Sequence, residues 1–266
     1  MLIIGELINA SRKPIENAIK AADHETIQNV ARDQFEAGAN FIDVNAGVFI
    51  KEESEYLKWL VTCVQSAVKA PCSIDSPNPT AIELALSAHD GIAMINSISL
   101  EKERIQNLLP IVAGTNLKVV ALCMSDEGIP KTAEQRLAIA DRLVNTLVKN
   151  KVQLSNIYLD PLVQPISVNT SFGREFLDAV ELIMKQFDGI HTVCGISNIS
   201  YGLPERRLLN QIFSTMAISR GLDSIIMNPL DKKMMANITA AEALMGKDDF
   251  CTQYLMKYRA NKLHFK

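Results

Sequence analysis

Three observations predict a single (β/α)8 barrel, one domain spanning residues 1–266. Eight short apolar runs recur along the chain, segments with helical spacing lie between them, and no G-x-G-x-x-G turn follows any run. Near-continuous runs of Ile, Val, Leu and Met suit parallel strands covered on both faces. Eight strand-then-helix units argue for a closed barrel, whose usual length is about 250 residues. A doubly wound open sheet is the alternative, but a dinucleotide-binding sheet of that kind would carry the missing glycine fingerprint.

The first strand is read at 2–7, LIIGEL. After it, TIQNVARDQFEAGA places Ile27, Val30, Ala31 and Phe35 on one helical stripe, with Gly38 as the stop signal. FIDVN at 41–45 is the second strand and CSID at 72–75 the third. Pro77 and Pro79 then stiffen the loop and start the next helix. AMIN at 93–96 and KVVALCM at 118–124 are the fourth and fifth strands. The helix after them opens on Thr132 with Gln135 three residues later, the spacing of a capping box. NIYLD at 156–160 is the sixth strand, followed by the helical segment GREFLDAVELIMKQF. HTVCG at 191–195 is the seventh, and PERRLLNQIFSTMAISRG follows with Pro204 in its first turn and Gly221 at its end. SIIMN at 224–228 completes the set.

Composition narrows the function classes. Hydrophobic residues make up 48% of the chain, enough to bury a large core. A net charge of −3 with 21% charged residues leaves no basic footprint for nucleic acid or an anionic membrane. The five cysteines are scattered and form no C-x-x-C pair, which fits reduced thiols and a cytoplasmic protein. Cys72, Cys123 and Cys194 lie in apolar runs and read as small core residues. The N-terminus carries Glu6 inside its apolar run and lacks a basic start, unlike a signal peptide. No apolar run approaches the ~18 residues of a membrane span. The four histidines make no H-x-H or Cys/His cluster, so no bound metal is expected. His191, at the start of its strand, reads as structural or solvent-facing.

Chemistry in a barrel of this type sits at the C-terminal ends of the strands. Those ends carry Glu6 and Asn9, Asp43 and Asn45, Asp75, Asn96, Asp160, Ser197 and Asn198, and Asn228. At any single position a turn or helix cap explains Asp or Asn equally well. Seven of eight strands offering such groups, with no Lys or Arg beside them, point instead to a ligand that brings hydrogen-bond donors. The absence of a strand-end lysine argues against Schiff-base chemistry. A flat heterocycle with an amino group beside a ring N–H, guanine-like or pterin, matches a carboxylate's two acceptors.

Several of these strand ends sit in longer motifs: GELINASRK at 5–13, FIDVNAG at 41–47, IDSPNP at 74–79, MINSISLEKER at 94–104, YLDPLVQP at 158–165 and CGISNISYGLPERRLLN at 194–210. The set resembles the methyltetrahydrofolate:corrinoid/iron–sulfur protein methyltransferases. These belong to the wider pterin-binding barrel family, with dihydropteroate synthase and the folate module of methionine synthase. The likeness runs from residue 2 to about residue 260. It implies that Asp75, Asn96 and Asp160 hold a pterin ring, and that Asn198 hydrogen-bonds the methylated ring nitrogen. Glu6, Asp43, Gly195 and Ser197 are implied to line the same pocket. Proton delivery to that nitrogen is expected through water and carboxylates, with Asp43 or Asp160 as candidates.

The implied substrates are methyltetrahydrofolate or tetrahydrofolate and a corrinoid (cobalamin) carried by a partner protein. Methyl transfer in either direction uses the same residues, and a homodimer is expected. Two alternatives stand beside this reading. A dihydropteroate synthase would need a strand-seven lysine, absent from HTVCGISNIS. A non-catalytic folate- or corrinoid-partner-binding protein would show no turnover. Arg206 and Arg207 read as surface cations, whereas Arg12 and Lys13 are better placed for an anionic tail.

Overall fold

The computed structural model describes residues 1–264. Eight parallel strands form one sheet: β1 Leu2–Asn9, β2 Phe41–Asn45, β3 Cys72–Asp75, β4 Met94–Leu100, β5 Lys118–Ser125, β6 Ile157–Asp160, β7 His191–Thr192 and β8 Ser224–Met227. Sequential strands are neighbours from β1 to β7, and β8 returns to lie beside β1. The remaining seam, between β7 and β8, is closed by a parallel bridge between Gly195 and Ile226, with the Ile226 amide donating to the Cys194 carbonyl at 2.9 Å. The barrel therefore closes, and the open-sheet alternative is set aside. The seventh strand is shorter than the 191–195 expected from sequence, because the chain turns early toward the bridge.

Strand alternation sorts the side chains. Ile4, Phe41, Met94, Val120, Tyr158 and Val193 pack together as the barrel's interior. Below them Lys118 donates to the Tyr158 hydroxyl at 2.9 Å and His191 stacks on the Tyr158 ring. His191 also meets Asp223 at 2.6 Å, the structural role expected of a histidine at the strand's N-terminal end. The intervening strand residues, among them Ile42, Ile74, Ile95, Ala121 and Leu159, face a shell of helices.

Those helices are α1 Lys13–Lys20, α2 His24–Glu36, α3 Glu53–Ala67, α4 Pro79–Leu86, α5 Lys102–Val112, α6 Ala133–Lys149, α7 Phe172–Gln186, α8 Arg206–Ser219, α9 Lys232–Leu244 and α10 Thr252–Arg259. Their starts follow local chemistry. The Thr132 side chain accepts from the Gln135 amide while the Gln135 side chain accepts from the Thr132 amide, the reciprocal box expected from spacing. Asn78 caps α4 with Pro79 at the first helical position. Pro204 does not start α8 as anticipated. Glu205 takes the left-handed conformation (φ 48°), so the helix begins at Arg206, two residues after Pro204.

One departure matters for the site. Phe35, expected on the buried stripe of α2, is 43% exposed, and Gln34 is fully buried in its place. Gln34 Oε1 accepts from the Leu7 amide at 2.9 Å. There β1 carries an irregularity: between the pairs Gly5–Ile42 and Ile8–Val44, the two residues Glu6 and Leu7 oppose the single residue Asp43. Without the buried glutamine the displaced Leu7 N–H would lose its acceptor.

Candidate active site

Two residues above the apolar interior layer, β1, β2, β4 and β6 carry Glu6, Asp43, Asn96 and Asp160, whereas β5 carries Leu122. The registers pair Asp43 with Ser73, Asn45 with Asp75, and Asp75 with Asn96. Ser73 Oγ donates to Asp43 Oδ1 at 2.7 Å and Asn96 Nδ2 donates to the same oxygen at 3.2 Å. Asn45 Nδ2 donates to Asp75 Oδ2 at 2.9 Å, while its own Oδ1 accepts from the Gly47 amide. The loop-holding role of Asn45 is thus present, and the same side chain also ties Asp75 in place.

Glu6, Asp43, Asp75 and Asn96 border one cavity of about 400 Å³, with Asn9, Arg12 and Asn228 on its rim. Glu6 and Asn228 also border a larger neighbouring space of about 870 Å³, reached by Ser197 and by the cations Arg207, Lys232 and Lys233. Asp160 and Asn198 border neither. Asp160 is 6% exposed at the end of β6, where its Oδ1 accepts from the Leu162 amide at 2.7 Å. Asn198 is exposed on the helical turn Ile196–Ser200. Gly195 precedes that turn, and a Cβ there would lie in ordinary contact with Asn198 Nδ2, at 3.7 Å.

Burial dominates the electrostatics. It pushes the Asp43 carboxyl well above the ordinary range, and the nearby Asp75 charge adds to the effect against the bonds from Ser73 and Asn96. Asp75 is likewise raised by burial, with Asn45 and Arg104 pulling it back. Glu6 is raised by burial and eased by the charges of Arg12 and Arg206. Asp160 is raised to about 7 by burial, against the Leu162 N–H and the Arg136 charge. A mouth whose acids resist ionisation is primed for a ligand that brings its own donors.

The expectation that no cation compensates these acids is corrected by the structure. Arg104 on α5 donates from Nε to the Ser97 carbonyl at 2.8 Å, and its charge reaches Asp75. Arg136 on α6 is fully buried, and its charge reaches Asp160. Both come from helices behind the strands, where reading the strand ends alone does not look. Arg206 is exposed on the surface as expected, yet its Nη2 donates to the Ser197 carbonyl at 2.7 Å and holds the Asn198 turn. Arg12 donates from Nη1 back to the Leu7 carbonyl at 2.8 Å. Glu53 was also missed: it accepts from Ser76 Oγ at 2.6 Å and anchors the loop after Asp75. Among the described residues no group of three His, Cys, Asp or Glu side chains is placed to hold a metal ion.

The fold is thus a closed eight-stranded barrel with Glu6, Asp43, Asp75 and Asn96 together at its C-terminal mouth. The family model for pterin binding enzymes matches residues 5–228, and the chain belongs to that family. It is 36% identical to the methylcorrinoid:tetrahydrofolate methyltransferase of Eubacterium limosum, over 99% of this chain and 98% of that protein. It is 30% identical to the methionine synthase of Mycobacterium tuberculosis over 86% of this chain, spanning 20% of that larger protein. Among solved structures, the dihydropteroate synthase of Xanthomonas albilineans with 4-aminobenzoic acid superposes with a TM-score of 0.70 at 16% identity, covering 93% of this chain and 92% of that one. The Coxiella burnetii dihydropteroate synthase with pteroic acid gives 0.71 at 15%, covering 93% and 94%. At that identity the likeness speaks for the fold.

Proposed function

We propose that this protein moves a methyl group between N5 of methyltetrahydrofolate and the cobalt of a corrinoid carried by a partner protein. The observation carrying the reading is the cavity bordered by the buried Asp43 and the half-buried Glu6, Asp75 and Asn96 at the C-terminal ends of the strands. Nearly full-length similarity to a methylcorrinoid:tetrahydrofolate methyltransferase supports it. In this reading residues 1–266 act as one cytoplasmic domain, and Asp75, Asn96 and Asp160 receive the donor edge of the pterin.

A methyl group on a ring amine transfers poorly because the departing nitrogen becomes anionic. Asn198 donates a hydrogen bond that tightens as that charge develops, an effect typically worth about 2.7–4 kcal/mol. Gly195 and Ser197 shape the turn that presents it. Asp43, raised by burial, and Asp160 are the candidates for relaying a proton to the nitrogen through water. The corrinoid supplies the nucleophile when methyl leaves the folate, and it enters through the open mouth.

The test mixes the protein with methyltetrahydrofolate and reduced cobalamin, then with tetrahydrofolate and methylcobalamin, following the cobalamin spectrum. Conversion in either direction is expected, and none in both would overturn the reading. A dihydropteroate synthase reading is disfavoured by the absence of a lysine after β7. We also propose a homodimer through the outer helices, where Leu244, Phe250, Met256 and Tyr258 are exposed. Light scattering at the mass of one chain would refute it.

A further inference from the structure

Arg136 is an odd occupant of a helix packed outside a barrel. It lies in the first turn of α6, is fully buried, and donates from Nη2 to Gln164 Oε1 at 3.0 Å. Its Nε and Nη1 are enclosed and meet no acceptor among the described residues. A guanidinium held this way is costly to bury, and an apolar side chain of similar volume would serve packing as well or better. A role in the site explains why a charge stands there.

The turn it grips is the turn that carries Asp160. Gln164 lies four residues beyond Asp160, and between them the Leu162 amide donates to Asp160 Oδ1 with Leu162 in the left-handed region (φ 66°). The guanidinium and the carboxylate therefore hold opposite ends of one short turn. The other ionisable groups nearby do not supply a cation. Cys123 on β5 and Cys194 after β7 are buried thiols held neutral by burial and by the Asp160 charge. Glu175 on α7 faces Arg136 and accepts from the Ala133 amide at 2.8 Å.

We propose that Arg136 is a positioning residue for the pterin: it fixes the Asp160–Gln164 turn and keeps the Asp160 carboxylate an ionised acceptor toward the ring's N–H edge. The second half rests on the reading that Asp160 faces a pterin; the first half does not. Arginine does this better than lysine because its planar fork can hold Gln164 while its charge stays spread beside the carboxylate.

The experiment uses R136M, R136Q and R136K in the full chain. Asp160 is titrated directly by carboxyl 13C NMR in ligand-free protein, with D160N assigning the signal, and tetrahydrofolate binding is measured over the same pH range. Burial pushes the wild-type Asp160 carboxyl up to about 7, which is the midpoint expected. Losing the guanidinium should move that midpoint up by roughly one unit. Tetrahydrofolate affinity at neutral pH should then fall about fivefold, as the ionised fraction drops from about one half to about one tenth. R136K should titrate between wild type and R136M, and melting of R136M should be unchanged or higher. An unmoved Asp160 midpoint in both R136M and R136Q would overturn the proposal. So would a loss of binding that is equal at every pH and tracks a lowered melting temperature. Failure of wild type to bind tetrahydrofolate would sink the pterin reading instead, while the NMR titration would still decide the turn.

Discussion

Replacing Asp160 by Asn should make the ligand-free protein more stable at neutral and alkaline pH while abolishing its value as a pterin acceptor. The structure sets the magnitude. Asp160 is 6% exposed, and burial lifts its carboxyl from 3.8 to about 7. The difference is about 3 units, each about 1.36 kcal/mol, so the folded state bears a penalty of about 4 kcal/mol once the group is ionised. The sign follows from linkage. A carboxyl with a raised folded pKa binds its proton more tightly in the folded state, so stability falls as pH rises from near 4 through about 7. Asn keeps the oxygen that accepts from Leu162 but gives the second position an amide in need of a partner. A net gain of about 2–4 kcal/mol above pH 7 is therefore expected. Urea unfolding followed by circular dichroism, at pH values near 4 and near 8, reads this directly. The gap should favour D160N at the alkaline value and fall to zero or slightly reverse at the acid one, where only the cost of the unpartnered amide remains. A gap of the same size at both, or a destabilised D160N at alkaline pH, would refute the reasoning. Sites that bind by means of costly buried charge trade stability for function, and this variant measures the trade.

Three further outcomes are expected. Asn198→Ala should lower the methyl-transfer rate by about 100- to 1,000-fold with tetrahydrofolate affinity nearly unchanged, and equal losses in rate and binding would count against its role as donor to the leaving nitrogen. Gly5→Ala should destabilise by about 1–3 kcal/mol, because the new Cβ would sit 2.5 Å from Gln34 Oε1, whose hydrogen bond to Leu7 leaves it little room to move; an unchanged urea midpoint would refute this. His89 accepts from the Cys72 amide at 2.9 Å and burial lowers its pKa, so its contribution is complete above 6.5 and declines as pH falls below that value toward the folded pKa. His89→Gln should remove that acid-side decline, which pH-dependent unfolding of the two proteins compares.

Much of the molecule was legible in the chain. The strands were readable because a parallel barrel buries both strand faces, which writes a local apolar run into the sequence. The capping box at Thr132 and the proline at 79 were readable for the same reason, since a helix start depends on residues three or four apart. The acidic ring was readable because a strand end is a position in sequence as well as in space. The family motifs then assigned roles to Asp75, Asn96, Asp160 and Asn198.

Closure of the barrel, the side chain that covers an irregular strand, and the charges behind the acids belonged to tertiary structure alone. Gly195 meets Ile226 across the seam, Gln34 reaches Leu7, Arg104 comes up beneath Ser97, and Arg136 grips Gln164. Each pair joins segments that local periodicity treats independently. The order of residues along the chain put Glu6, Asp43, Asp75 and Asn96 at strand ends, and these four border one cavity. Only the three-dimensional packing decided how deeply they are buried and which arginine faces which carboxylate. The physical reason is that a carboxyl's affinity for its proton depends on the solvent it has lost and the charges brought near it, and neither is a property of neighbouring letters.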